Sequence, residues 1–254
     1  MKPDLLLQKK LLRSLGFSFL EQSLEIPGAP SSGQQSPGKR ANAGAPPPPR
    51  PDRQNLAPFS SLPNLTIEER KEGLEAIARE VAGCQRCLLS HVRQTPLSGE
   101  GPLDPAFALI LEIPSPEQDK TGRLNAGEVG GLLGRIVEAI GSSPEDCFIT
   151  FAAKCHAFPF RPPHAQEVEA CRPYLVKQME LARPGAIICF GPAGLEALLP
   201  SAVAKGPNAS RGKVLDYRGV PILMTLPLPA IMSHRTRKRT VWEDLQRLIT
   251  AGER

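Results

Sequence analysis

The sequence predicts an α/β fold, a three-layer sandwich in which a mostly parallel sheet of about four strands is flanked by helices. Four short, continuous apolar runs are typical of strands buried on both faces: FALILEI (107–113), CFITFAA (147–153), AIICFG (186–191) and PILMTL (221–226). Stretches with helical spacing alternate with these runs, near 128–140, 165–182, 192–199 and 240–250. Strands that alternate with helices in this way form a parallel sheet covered on both faces.

The folded domain is expected to span residues 66–254, because a helix with a clear start signal opens it. Thr66 and Glu69 have the spacing of a capping box, in which each side chain binds the backbone of the other residue. Apolar residues then recur at helical spacing, at Ile67, Leu74, Ile77, Ala78 and Val81. Gly83 is expected to end this helix.

Two different segments precede the domain. Residues 4–25 carry a stripe of Leu5, Leu12, Leu15 and Phe19, which predicts an amphipathic helix within residues 1–25. That helix either packs on the domain or offers its stripe to a protein partner. Residues 26–65 include the run APPPPRP and hold ten of the 28 prolines, so they are interpreted as a proline-rich disordered linker.

The net charge of +5 does not by itself indicate nucleic-acid binding. Residues 1–65 hold 8 basic and 4 acidic side chains, whereas residues 66–254 hold 23 and 22, so the domain is nearly neutral. A local patch would be needed to bind DNA. No apolar run reaches the ~18 residues that span a bilayer, and lysines interrupt the N-terminal leucines. We therefore expect a cytoplasmic monomer without membrane contact, whose six cysteines are thiols or ligands rather than disulfides.

Four of the cysteines form a candidate ligand set. They are a C-x-x-C pair and a second pair separated by fifteen residues, namely Cys84, Cys87, Cys155 and Cys171. The other two, Cys147 and Cys189, lie within apolar strand patterns and are expected to be buried core thiols. The spacing alone leaves three interpretations open: a [4Fe–4S] cluster, a structural zinc ion, or no metal.

Several motifs together resemble the family 4 uracil-DNA glycosylases, which carry a [4Fe–4S] cluster. They are CQRCLLSHVR (84–93), SGEG (98–101) and KCHAFPFRPPHAQEVEAC (154–171). The last segment matches the family at Lys154, Cys155, Arg161, Pro163, Glu167 and Cys171, and later matches occur at Arg211–Gly212 and 241–248. The resemblance covers roughly residues 66–250. It implies the uracil-DNA glycosylase fold, a link to DNA repair, and a [4Fe–4S] cluster held by the four candidate cysteines.

The first active-site motif of that family is only partly kept. The segment LEIPSPEQDKTGRLNAGEVGGLL (111–133) retains Glu112, which is either a water-activating carboxylate or an anchor of its loop. Leu111 and Ser115 replace two loop glycines of the family pattern. Since glycine permits tight backbone geometry and close approach of a ligand, both changes are expected to disturb this loop.

Three further pocket positions also depart from the family pattern. Asn125 stands where the family has an aromatic ring that stacks on the base, and Phe151 stands where an asparagine reads the base. This exchange indicates either a pocket rebuilt for another base or a phenylalanine that fills a vacated one. The position of the catalytic histidine falls at Pro227 or Leu228, and neither side chain donates a hydrogen bond.

A basic stretch follows directly, where the family contacts the duplex. It contains Arg235, Arg237, Lys238 and Arg239, to which Arg211 is added, and it is either a set of phosphate contacts or a solvated turn. We therefore expect a DNA-binding, DNA-repair-associated protein with a [4Fe–4S] cluster and uracil excision lost or strongly reduced. The alternatives are an active base-excision glycosylase with altered base specificity that uses Glu112, and a cluster- or zinc-stabilised scaffold for protein interaction through residues 4–25.

Overall fold

A computed structural model describes residues 57–206, 208–234 and 236–252 of the chain. The helix expected within residues 1–25 and the linker up to residue 56 lie outside these described residues. Phe59 falls within the segment expected to be disordered, yet it is buried against Tyr217 with the two ring centroids 5.8 Å apart. The packed domain therefore begins before Thr66, since an apolar ring at residue 59 completes its core.

The sheet has five strands, one more than expected. They are β1 (Phe107–Leu111), β2 (Cys147–Phe151), β3 (Ala186–Phe190), β4 (Val214–Tyr217) and β5 (Val220–Thr225). Their order is β2-β1-β3-β5-β4. The four strands predicted from apolar runs are mutually parallel, and the last residues of β1, β2 and β3 are in register. These three strands thus end at the same edge of the sheet.

The unexpected strand, β4, is antiparallel and forms a hairpin with β5. Its sequence VLDY is short, with two half-buried residues and the exposed Asp216, so it lacks the apolar run that marks the buried strands. The hairpin turns through Arg218 and Gly219, which have φ of +55° and +85°. This is the backbone shape that a two-residue hairpin turn requires.

Seven α-helices are described, and five of them match the predicted helical stretches. They are α1 (Ile67–Ala82), α2 (Pro116–Thr121), α3 (Gly127–Ala139), α4 (Ala165–Ala182), α5 (Pro192–Leu198), α6 (Leu228–Ser233) and α7 (Thr236–Gly252). The capping box of Thr66 and Glu69 begins α1, and Gly83 ends it, as the sequence predicts. The two unexpected helices, α2 and α6, have six residues each and are too short to show a helical period.

Helices cover both faces of the sheet, which confirms the three-layer arrangement. On one face, Leu109, Ile188 and Leu223 pack with residues of α3, α6 and α7. On the other face, Ile110, Ile187 and Ile222 pack with residues of α4 and α5. Cys147 and Cys189 are fully buried in these layers, as expected for core thiols. Among the described helices, none is long and apolar enough to cross a lipid bilayer.

Candidate active site and cysteine centre

A pocket of about 260 Å³ opens beyond the carboxyl ends of β1 and β3. The chain passes from β1 to β2 on one side, while β3 returns to the other side of β1, so the strand order reverses between β1 and β3. Such a switch point leaves a crevice in which α/β proteins bind ligands. Its walls are mostly apolar: Leu111, Ile113, Val129, Phe160, Pro162, Phe190, Pro227, Leu228, Pro229 and Ala230, together with the charged residues Glu112 and Arg161.

Glu112 is the carboxylate of this pocket, and it follows β1 directly. Burial raises its pKa from 4.5 to about 7, while a backbone hydrogen bond from Ala193 at the start of α5 opposes the rise. A carboxyl group with a pKa near neutral can accept a proton from water at physiological pH. This arrangement suits the role of a general base.

Gly191 allows the carboxyl to occupy this position. Its φ of +103° lies in a region that side chains avoid, and a β-carbon there would lie 2.6 Å from Oε1 of Glu112. The strand-to-helix turn between β3 and α5 thus needs glycine for two reasons, its backbone shape and the close approach of Glu112.

The loop after β1 is ordered in spite of the two replaced glycines. Leu111 is a buried residue of β1, and Ser115 has φ of −70° and caps α2 in a capping box with Gln118. Neither conformation requires glycine. Asp119 of α2 is buried and accepts hydrogen bonds from the amides of Gln94 and Thr95, at 3.0 Å and 3.2 Å. It therefore ties this loop to the segment that follows the C-x-x-C pair.

The far lip of the pocket is the turn that begins α6, at the expected place of the catalytic histidine. Leu228 lines the pocket from this turn, as the sequence predicts for a pocket residue, although its side chain is only 2% exposed. Pro227 and Pro229 have no N–H group, and the amide of Ala230 donates to Pro227 O at 3.0 Å. Within this described turn no side chain can donate to a departing base. His234 is exposed and is not among the lining residues.

The other two predicted pocket residues do not line the pocket. Asn125 is exposed at the start of α3, where its backbone packs against Gly130. Phe151 is fully buried at the end of β2, among the core residues that also include Leu111. Their proposed roles in reading a base stay predictions.

An aromatic ring reaches the pocket from a different segment, the loop between β2 and α4. Phe160 lines the pocket and lies over the ring of His156, with centroids 5.7 Å apart and the ring planes 20° from parallel. His156 is buried and places Nδ1 2.9 Å from Pro114 O. The next residue, Arg161, donates two hydrogen bonds to the carboxylate of Glu167, at 2.8 Å and 2.7 Å. The residues that precede and follow Phe160 are therefore held by polar contacts.

The four candidate cysteines line one small pocket of about 10 Å³ between α1, the loop after β2 and α4. The Cys155 sulfur accepts a hydrogen bond from Arg93 Nη1 at 3.0 Å, and the Cys171 sulfur accepts one from the Lys154 amide at 3.3 Å. Among the residues that the structure describes, no three or more His, Cys, Asp or Glu side chains are grouped so that they could hold a metal ion. The four thiols thus line one space but do not form a group that surrounds a single point.

Two cations surround these thiols. Arg93 joins the sulfur of Cys155 to the carbonyls of Ala82 and Cys84, at 3.1 Å and 2.9 Å. Burial raises the pKa of Cys155 to about 11, and Arg93 opposes that rise. Lys154 is buried, and its ammonium donates to Thr150 Oγ1 and Phe151 O at 2.7 Å and 2.6 Å. Burial lowers the pKa of Lys154 to about 8, and the neighbouring cysteines oppose that change.

Most of the predicted DNA-binding cations have partners within the domain. Arg235 lies outside the described residues. Arg237 donates to Ala230 O at 3.0 Å, and Arg239 pairs with an exposed carboxylate 2.9 Å away, while Lys238 is half-buried. Arg211 pairs with the buried Asp244 at 2.9 Å. Arg211 is therefore tied to the core, and Arg237 contacts the lip of the pocket at Ala230.

The fold and the site together define an α/β protein with a ligand pocket at the switch point of its sheet. The family model described as the uracil DNA glycosylase superfamily matches residues 98–246. The chain belongs to the uracil DNA glycosylase superfamily.

Three relatives, each named type-4 uracil-DNA glycosylase, are similar to this chain. The protein of Saccharolobus solfataricus is 40% identical over 121 residues, which are 47% of this chain and 56% of the relative. That of Archaeoglobus fulgidus is 35% identical over 120 residues, 47% of this chain and 60% of the relative. That of Thermotoga maritima is 29% identical over 181 residues, 70% of this chain and 94% of the relative. The first two matches thus span less than two thirds of those relatives.

Sequence reasoning did not predict the contributions of Gly191 and Phe160 to the site. The contact of Gly191 with Glu112 joins segments far apart in the chain, and no local pattern encodes it. Phe160 belongs to the run FPFRPP, in which aromatic rings between prolines have no place in a helix or strand. That composition is the signal by which an exposed aromatic residue could have been found.

Proposed function

We propose that the protein is a DNA-binding, DNA-repair-associated member of its superfamily that carries a [4Fe–4S] cluster and has lost most or all uracil excision. The observation that carries this proposal is the pocket beyond β1 and β3. It has the volume and the carboxylate of a base pocket, but its far lip is built from Pro227, Leu228 and Pro229. Such a pocket admits a ligand without supplying the donor that the reaction needs.

The missing donor has a large expected effect. Base excision leaves negative charge on the departing base, and one well-placed donor to such a charge contributes ~10²–10³ in rate, about 2.7–4 kcal/mol. The residue at the base-reading position, Phe151, is fully buried and has no amide, and Asn125 does not line the pocket. Losses of this kind are not additive, but they act in the same direction.

The cysteine centre supports an iron–sulfur group by its chemistry. Four thiols line one pocket without a carboxylate or imidazole, and thiolate ligands favour iron–sulfur clusters and zinc. A single zinc ion held by the same four sulfurs at about 2.3 Å is the alternative that metal analysis must exclude. Cys84 and Cys87 are half-buried, so their side chains have room to turn toward a larger group. When bound, a cluster supplies a redox-active centre that also links three segments of the fold.

The cluster is tested by colour and by ligand substitution. Protein purified without oxygen should be brown with broad visible absorbance, and Cys155→Ser or Cys171→Ser should lose that absorbance. Cys189→Ala is the matched control, since Cys189 is a buried thiol outside the centre. Colourless wild-type protein with bound zinc would overturn the cluster.

Binding to DNA is supported by the cations beside the pocket lip. Arg237 is held against Ala230, a lining residue, so its charge lies next to the pocket entrance. We expect the affinity for duplex DNA to fall with salt, and Arg237→Ala to lower the slope of log affinity against log salt by about 1. Lys71→Ala is the matched control, because Lys71 is exposed on α1. A wild-type protein that shows no binding at low salt would refute the proposal.

The decisive experiment is a base-release assay on duplexes that contain uracil, hypoxanthine or xanthine. The proposal predicts no release of uracil, or release slower by at least the ~10² expected for one missing donor, relative to a type-4 enzyme assayed in parallel. Efficient uracil release would contradict it.

A second candidate, an active glycosylase with altered specificity, is favoured by the environment of Glu112. A carboxylate whose pKa is about 7 could activate water for attack on a different base. This candidate predicts release of hypoxanthine or xanthine that Glu112→Gln abolishes. If none of the three bases is released, the first candidate is supported.

A further inference from the structure

Two aromatic side chains of the loop between β2 and α4 are exposed. Phe158 is 79% exposed and Phe160 is 42% exposed, and Phe160 also lines the pocket. Single apolar residues are common on protein surfaces, but two exposed phenylalanines within three residues, one of them in a pocket wall, indicate an interaction site. Exposed aromatic rings of this kind favour a ligand with a flat surface that packs against them.

Phe160 is held in one place, as a binding surface requires. One face of its ring lies toward His156, which is itself buried and bonded to the backbone of the loop after β1. Arg161, the next residue, is fixed by its two hydrogen bonds to Glu167. A ring that is already positioned loses little freedom on binding, so more of its contact energy appears as affinity.

The chemistry around the ring suits a nucleobase better than an apolar peptide. The pocket is a mostly apolar space with one carboxyl group, Glu112, that can bind the polar edge of a base. A cation stands beside it, since Arg237 is held against the lip residue Ala230. Stacking on an aromatic ring, a polar contact to the base edge and cations for the phosphates are the usual means by which proteins hold an extruded or single-stranded base.

We infer that Phe160 is the ring on which an unpaired nucleobase stacks at this pocket. This inference rests on the proposed DNA binding and adds the residues that would recognise the base. It also places the stacking ring on the loop after β2, whereas the sequence resemblance placed it at residue 125.

The test compares two fluorescent single strands in binding titrations with the full-length protein. One is a short oligothymidine, and the other is the same strand with its central nucleotides made abasic. Wild-type protein should prefer the strand that has bases, and Phe160→Leu should bind that strand roughly 5- to 150-fold more weakly, in line with about 1–3 kcal/mol per stacked base. Phe160→Leu should also lose the preference between the strands. Phe160→Tyr keeps the ring and should retain both properties.

Each result separates this inference from the proposal on which it depends. Ile67→Ala, at an exposed apolar residue of α1, should bind both strands as the wild type does. If wild-type protein binds DNA but Phe160→Leu keeps the same affinity and preference, the stacking role is wrong and the loop fits a protein contact. If wild-type protein binds duplex DNA but neither single strand at low salt, this inference is wrong and the DNA-binding proposal stands; if it binds neither duplex nor single strands, both are wrong.

Discussion

Replacing Glu112 by glutamine changes one property of the pocket while keeping its shape. Glutamine has nearly the same size and can still accept the hydrogen bond from Ala193, but it carries no charge at any pH. In the wild-type protein, burial holds the pKa of Glu112 at about 7, compared with 4.5 for an exposed group. The native state therefore disfavours the carboxylate, and the unfolded chain does not.

The size of the effect on the free energy of unfolding follows from this difference in pKa between the native and unfolded states. Near pH 5.5 the unfolded chain has lost most of the proton while the native state keeps it, which lowers native stability by about 1.4 kcal/mol. Near pH 8 both states are largely ionised and the loss has grown to about 3.3 kcal/mol. The stability that the neutral carboxyl contributes is thus complete below 4.5 and is lost as the pH rises through about 7. The variant should gain about 2 kcal/mol relative to the wild type across this window.

Thermal unfolding of both proteins at matched metal content measures this gain. For a protein of this size, 1 kcal/mol corresponds to about 2–4 °C, so the Tm difference between Glu112→Gln and wild type should widen by about 4–8 °C from acidic to alkaline pH. Other titrating groups are common to both proteins and cancel in the difference. Two Tm curves that stay parallel over the whole range would refute the raised pKa and with it the proton-accepting role of Glu112.

Two further substitutions, each paired with a control variant, test how the pocket and its surroundings are built. Gly191→Ala should lower stability by about 1–3 kcal/mol, because its φ is positive and its new β-carbon would meet Glu112. Gly83→Ala, where the space is open and φ is −93°, should leave Tm unchanged or slightly raised. Asp244→Ala should lower stability by about 1–3 kcal/mol, since it removes the buried acceptor of Thr225 Oγ1 and the partner of Arg211. Arg239→Ala, which breaks an exposed pair, should change stability by no more than about 1 kcal/mol, and equal losses for the two variants would contradict this account.

The parts of the fold that the sequence predicted are those with a strong local signal. The parallel strands are continuous apolar runs, and α1 has both its capping box and its closing glycine. Strand β4 lies at the sheet edge with Asp216 exposed, so its pattern is too weak to stand out from a loop. Helices α2 and α6 both have proline in the first turn, and α2 also has a capping box, but each contains fewer than two full turns. Hydrophobic periodicity therefore cannot be detected in them.

The sequence predicted pocket residues only at positions that the family resemblance marks one by one. Glu112 and Leu228 occupy positions that the resemblance marks, and both line the pocket. Residue 125 is marked in the same way, yet it is exposed outside the pocket, because the backbone of Asn125 packs against Gly130. The place of Phe160 in the pocket wall depends on its stacking with His156 and on the distance between two loops. Neither can be read from the order of residues in the sequence.

The cysteine centre and the pocket are coupled by a single stretch of chain. Cys155 and Cys171 bracket the loop that holds Phe160, and Glu167, between that loop and Cys171, fixes Arg161. His156 lies between a cysteine and the ring it supports, and it contacts the loop that follows Glu112 and leads to Ser115. A group bound to the thiols would therefore restrict Phe160 and the pocket wall without taking part in any chemistry. Under the proposed function the four cysteines have a use on this basis, since binding a base requires an ordered pocket even without an oxyanion donor.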